Sequence, residues 1–391
     1  MTELNFPGAR RSGMYVETEE RPDPVSVATE ALEEPADPFI EPDEVGDPAT
    51  TRGPKTKHAT STVQTSASER VTTPDSDDED AEPAAPAKEG FNGFLNQIFS
   101  GLLKLAPSAK ELAARELAAS QSGFEDLIRQ SSWTRAVGLL VANKKGTAGK
   151  TPLSVLLGGV LAAIRGGSVA ILETSDDKGQ LAYRAEGDPQ LGMGELVANI
   201  SDVRTQSQLR GYTVTQTSFA SVIGSTPKWR PPLTKENVLK VASIVDEHFT
   251  IRVMDTGNQY SSGPFGAAVE VADVLVIPTM LAQDAVSEAL ELLEFLEHQG
   301  EDAARLARSA IVVMMSDGRP EFKPSKLKKQ FMDKGIAEDH IYSVPYDSHV
   351  AERGALTLSK LAPATRQALT AIAAGVVAQT NQNVFEKDQN R

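Results

Sequence analysis

The sequence has no cysteine in 391 residues, five histidines, and aromatic side chains at only 5% of positions. The missing thiol excludes a disulfide framework, a thiolate metal site and a cysteine nucleophile. The histidines lack metal-ligand spacing: His248, His298 and His340 stand alone and read as surface or capping residues, and His349 as structural. Trp133 and Trp229, the two tryptophans, read as packing residues. No run approaches the roughly 20 apolar residues that a spanning helix needs. Met1 to Gly13 lacks the apolar core of a secretory leader, so the expected location is cytoplasmic.

What is abundant is negative charge, and it is concentrated. The chain carries 54 Asp and Glu against 39 Lys and Arg. Residues 1–90 hold 21 of those acids and 8 of the bases, leaving 33 and 31 for everything that follows. The same stretch holds 11 of the 23 prolines and ends near the block Asp75-Ser-Asp-Asp-Glu-Asp80. Such a segment buries too little apolar surface to offset the entropy of ordering it. It reads as a disordered acidic tail: a solvated tether, or a docking segment for a basic or secretion partner. The near-neutral remainder is ample for one α/β domain.

Residues 91–132 read as a helical extension. Phe91, Phe94, Leu95, Ile98, Phe99, Leu102 and Leu103 recur at i, i+3 and i+4, which places them on one helical face. Pro107-Ser108 interrupts, and a second helix is expected over Ala109–Ser120. The apolar stripe could lie on a membrane surface or dock on protein. Lys104 is its only nearby base, whereas surface-binding helices are rich in Lys and Arg, so docking is favoured.

Residues 133–380 alternate strand and helix, and 381–391 read as a C-terminal tail. Strands are expected at Ala136–Ala142, Ser168–Leu172, Phe249–Met254, Val274–Pro278 and Ala310–Met315. Helices are expected near 152–165, 234–247, 281–298 and 323–334, and over Pro363–Gln379; Tyr212–Ile223 suits an added strand pair. Short apolar strands between such helices predict a doubly wound, mostly parallel sheet with helices on both faces.

The chemistry concentrates in one loop. Strand Val137–Val141 runs into Lys145-Gly146-Thr147-Ala148-Gly149-Lys150-Thr151 and then a helix. That context suits phosphates, because successive backbone N–H groups converge at a helix N-terminus. Lys150 would reach the β- and γ-phosphates, and the Thr151 hydroxyl would be a Mg2+ ligand. Lys144 stands where the usual G-x-x-x-x-G-K-[ST] pattern has its first glycine. The deviant form K-G-G-x-G-K-[ST] fits with one departure, Thr147. A second strand ends in Asp255-Thr-Gly257, placing a carboxylate where it would order water on the metal. A third ends in Glu173-Thr-Ser-Asp176-Asp177, an acidic loop that reads either as a carboxylate source for orienting water or as a solvated turn.

Taken in order, these stretches resemble the MinD/ParA branch of P-loop ATPases, and within it actinobacterial MinD-like proteins associated with type VII secretion. Further stretches share the likeness: Ser100–Leu117, Leu161-Ala-Ala-Ile-Arg-Gly166, Val344-Pro-Tyr-Asp-Ser-His349 and Leu361-Ala-Pro-Ala-Thr-Arg366. The resemblance implies ATP and Mg2+ bound between the protomers of a homodimer. It implies that Lys145 crosses to the partner's phosphates, and that Pro345 and Asp347, with the strand end near Ser316, contact adenine. It implies a slow switch that positions or regulates a secretion or conjugation machinery.

Four departures bear on that chemistry. Thr147 replaces a loop glycine, and costs about 1 kcal/mol or more if the position needs positive φ. Pro152 removes an N–H that would face the α-phosphate. Glu173 replaces an aspartate, and Ser175 stands where the hydrolytic aspartate belongs, leaving Asp177 or Asp176 as substitutes. Two other functions therefore stay open: a non-hydrolysing scaffold, or a plasmid or chromosome partition ATPase. For the latter, Lys323, Lys326, Lys328 and Lys329 could touch nucleic acid, although a solvated helix face is the favoured reading.

Overall fold

Runs of five to seven mostly apolar residues make the strands of the central sheet. They are β1 (Val137–Val141), β2 (Val169–Glu173), β3 (Val214–Thr215), β4 (Ser221–Ile223), β5 (Ile251–Asp255), β6 (Val274–Met280), β7 (Ile311–Met315) and β8 (Ile341–Val344), with β3, β4 and β8 shorter. The structure is a computed structural model that describes residues 109–319 and 322–389. The acidic tail and the Phe91–Leu103 stripe lie outside those residues.

The strands form one sheet in the order β3-β4-β2-β5-β1-β6-β7-β8. Every neighbouring pair is parallel except β3 with β4, the expected added pair. Both faces are covered, so β1, β2, β4, β5 and β7 are buried throughout rather than alternately. The period-2 side-chain geometry still sorts the residues. Leu139 and Val141 enter the core beneath the helices Lys150–Arg165 and Pro363–Gln389, while Leu140 and Ala142 enter the core on the other face. The chain leaves β1 toward β2 on one side and later builds β6 to β8 on the other. The carboxyl end of β1 is therefore the topological switch point where α/β sheets bind ligands.

Two expected boundaries moved. The helix beginning at Ala109 continues to Gln130 rather than ending at Ser120. Ser120 does not break it because its Oγ donates back to the Glu116 carbonyl at 2.9 Å, and Phe124 and Ile128 supply the apolar contacts that anchor the last turns. Arg165 then caps this end, donating to the carbonyls of Ile128 at 2.7 Å and Ser131 at 2.8 Å. The final helix runs from Pro363 to Gln389, through residue 381 where a tail was expected to begin. Val384 is buried, and Asn383 donates to the Asp273 carbonyl at 2.7 Å, so packing carries the helix onward.

Trp229 corrects another expectation. Trp133 does pack, with its indole N–H donating to Asn381 at 2.9 Å, but Trp229 is 84% exposed. Its neighbour Arg230 takes the buried place in that Pro-rich loop. Among the described residues, no helix is long and apolar enough to cross a membrane.

Candidate functional site

Strand β1 delivers the chain to the switch point as Asn143, and Asn143 sets the loop that follows. Its Nδ2 donates to the Pro278 carbonyl at 2.7 Å, and its Oδ1 accepts from the Lys145 N–H at 2.9 Å. The loop then turns twice through left-handed backbone: Thr147 has φ of 66° and Gly149 of 92°. Thr147 thus occupies the strained conformation that its glycine-replacing position implied. At the φ of Gly149 a side chain would be strained, and its Cβ would fall 2.7 Å from the Met315 sulfur. Gly149 is the N-cap of Lys150–Arg165 and offers no side-chain acceptor. The first N–H groups of that helix are left for a ligand. Pro152 sits in this first turn, where its missing N–H breaks no helical bond.

Lys150 is folded back into the loop it serves. It is 7% exposed, and its Nζ donates to Asn258 Oδ1 at 2.6 Å and to the Lys145 carbonyl at 3.1 Å. Burial lowers its pKa to about 8, against the raising effect of Asp255. Thr151 Oγ1 donates to Asp255 Oδ2 at 2.7 Å, and Ser154 Oγ lies 3.3 Å from Oδ1. Burial pushes the Asp255 carboxyl up to about 7, with the neighbouring Glu173 adding to the rise. A bound divalent cation would reverse that shift. One hydroxyl and one carboxylate suit Mg2+, which takes oxygen donors and fills its shell with water and phosphate oxygens. No cluster of three or more His, Cys, Asp or Glu able to hold a metal occurs among the described residues.

The acidic loop after β2 faces the same cleft, which has a volume of about 620 Å³. Its two strand-end carboxylates differ in role. Glu173 is the register partner of Asp255 but is 1% exposed and tied to Arg230, 3.1 Å away, and to the Ser225 hydroxyl. Arg230 also donates to the carbonyls of Ser175, Asp176 and Asp177 at 3.1, 2.7 and 2.9 Å. One arginine thus fixes the whole loop. The Ser175 hydroxyl is spent on the Asp177 carbonyl, while the Asp177 side chain is exposed at the cleft wall.

Lys145 is half-exposed, and in the single chain its Nζ lies 2.8 Å from Asp284. Gly146 and Ala148 complete the turn, Ala148 buried beneath it. Pro345 is exposed, whereas Asp347 is buried and its carboxylate is committed to the backbone N–H groups of His349 at 3.0 Å and Ala362 at 2.9 Å. Asp347 also lines a hollow with Met315 and Ser316 beside the loop. His349 is structural as expected, accepting from the Thr357 N–H at 3.0 Å. In the basic cluster, Lys328 and Lys329 pair with Glu338 and Asp333 at 3.0 and 2.9 Å.

Sequence reasoning passed over Asn143, Ser154, Asn258 and Arg230. Asn143, a polar residue ending a buried run, carried a signal that could have found it, whereas the exposed Asn258 beyond Asp255 carried none. Arg230 gave none, because its partners Glu173 and Asp177 lie far away along the chain.

No family model matches the chain. It is 22% identical over 247 residues to the ESX-1 secretion-associated protein EspI in two strains of Mycobacterium tuberculosis, a match covering 61% of this chain. The chain spans about a third of the length of those relatives, 36%. Among solved structures it is similar to a ParA family ATPase from Chlorobium tepidum, at 13% identity and a TM-score of 0.48, covering 64% of this chain and 97% of that one. It is likewise similar to the septum site-determining protein MinD complexed with Mg-ADP from Pyrococcus horikoshii, at 13% identity and a TM-score of 0.47, covering 61% and 94%. Two of the solved structures it is similar to are thus a ParA family ATPase and a MinD, and the curated relatives it matches are secretion-associated proteins.

Proposed function

We propose that the protein is an ATP- and Mg2+-binding switch that serves a secretion machinery, with ATP favouring a homodimer. The observation that carries this reading is the pairing of loop and strand end. The Thr151 hydroxyl meets Asp255 at 2.7 Å directly beside an uncapped helix N-terminus and a buried lysine. Nucleotide phosphates supply the negative charge, and Mg2+ the counter-charge, that such a site is shaped to take. Lys145 would leave Asp284 to engage a partner's phosphates. The similarity to a secretion-associated protein supports the machinery named. ATP with Mg2+ should raise the melting temperature of the wild type, by up to about 2.7 kcal/mol of stabilisation at a hundredfold excess over Kd. Lys150→Ala should abolish that rise. An unshifted wild type at millimolar ATP would sink the proposal.

A second reading, a scaffold that binds nucleotide without turning it over, is favoured by one observation. Ser175 and Glu173 are both locked into structural contacts, so Asp176 and Asp177 are the carboxylates left at the loop for orienting water. A single-turnover assay with labelled ATP separates the two readings: product formation lost in Asp176→Asn or Asp177→Asn marks a switch, and none in the wild type over hours marks a scaffold.

A further inference from the structure

Two arginines beside the phosphate loop have no assigned role. Arg184 ends the short helix Leu181–Arg184 and is only 6% exposed. Its Nη2 donates to the Val350 carbonyl at 3.2 Å, and its Nε has no hydrogen-bond partner. Arg353 stands nearby on the loop after Ser348–Ala351, close enough for its charge to be felt by Arg184. Among the described residues, neither arginine has a carboxylate within ion-pair distance. The acid that senses Arg353 is Asp317, which is already held by Arg319.

Two like charges side by side, one of them buried, are unfavourable unless an anion joins them. Arg353 carries a second cost: its φ is 58°, a left-handed conformation that the next residue, Gly354, would adopt without strain. Strain of that kind persists where the surroundings demand a side chain in a particular place.

The location identifies the anion. Both arginines line the phosphate cleft alongside Thr147, Gly149 and Pro152, and both also line the adjoining hollow of Met315, Ser316 and Asp347. They therefore stand between the phosphate end and the hollow, next to the one loop position that cannot donate a backbone N–H.

We propose that Arg184 and Arg353 bind the α-phosphate of a nucleotide, replacing the backbone donor that Pro152 lacks. This rests on the nucleotide reading above. Guanidinium forks suit phosphate oxygens, and charge-assisted bonds of this type are about twice as strong as neutral ones.

The test is calorimetric titration of the full chain with ADP and, separately, with inorganic pyrophosphate, which has no nucleoside-bearing phosphate. Arg353→Gln should weaken ADP on the order of tenfold or more while leaving pyrophosphate within about twofold. Pro152→Ala restores an N–H, so it should recover more ADP affinity in the Arg353→Gln background than it adds to the wild type. Arg184→Lys should weaken ADP as well; should that variant not fold, Arg353→Gln decides alone, since its side chain is exposed. Wild type that binds ADP together with an Arg353→Gln variant of equal affinity would overturn this inference and leave the nucleotide reading standing. Equal losses for ADP and pyrophosphate would overturn the α-phosphate assignment. A wild type that binds no ADP would overturn both.

Discussion

Replacing Lys150 by methionine should stabilise the protein without ligand while destroying its response to nucleotide. Lys150 is 7% exposed, and burial lowers its pKa from 10.5 to about 8. A lysine whose pKa falls on folding binds its proton more weakly folded than unfolded, so the folded state is penalised wherever the unfolded chain is charged. At 1.36 kcal/mol per pKa unit, the penalty at pH 7 is about 3 kcal/mol. Methionine keeps the unbranched length and removes the charge. The bonds it forfeits are to Asn258 and the Lys145 carbonyl, which water can replace because Asn258 is exposed and Lys145 is partly exposed. Urea denaturation at pH 7 should show Lys150→Met more stable by about 2–3 kcal/mol. The sign of the pH dependence follows directly. As pH rises through 8 toward 10.5 the wild type sheds its penalty, so the gap should close over that window. A gap absent at pH 7, or one unchanged at pH 10, would refute the burial argument.

Further outcomes follow from neighbouring contacts. Arg230→Gln removes one partner of a pair in which both side chains are nearly fully buried, and should cost on the order of 3–5 kcal/mol by urea denaturation. Thr147→Gly relieves a β-branched residue at φ of 66°, and after the added entropy of the unfolded chain should stabilise by about 0.5–1 kcal/mol in the same assay. Asp284→Ala frees Lys145 from its contact within the chain, so sedimentation with ATP and Mg2+ should show the dimer at lower protein concentration. Adding Lys145→Ala should reverse that gain.

Much of the fold could be read from period and length alone. Strands β1, β2, β5, β6 and β7 are apolar runs too short for helices, and each lay within a few residues of its expected place. What escaped was decided by contacts between distant parts of the chain. Nothing local tells that Ser120 will bond backward and let its helix continue, or that Arg165 will cap that helix from another layer. The proposed phosphate loop could be read from the sequence because the groups that would serve it are consecutive. Arg230 and the Arg184–Arg353 pair were not, because each acts across tens of residues on a surface that only the sheet order assembles. Trp229 shows the opposite failure: a large apolar side chain invited burial, and the loop buried its arginine neighbour.

The central claim is that Thr151 and Asp255 hold Mg2+ against a nucleotide bound by the loop. Its most direct measurement is calorimetric titration of wild type and Thr151→Val with ATP, with and without Mg2+. The account predicts that Mg2+ strengthens ATP binding to the wild type, and that removing the hydroxyl takes away this increment while weaker metal-free binding survives. Equal affinity for ATP with and without Mg2+ in the wild type, or a Thr151→Val variant that retains the full Mg2+ effect, would contradict it.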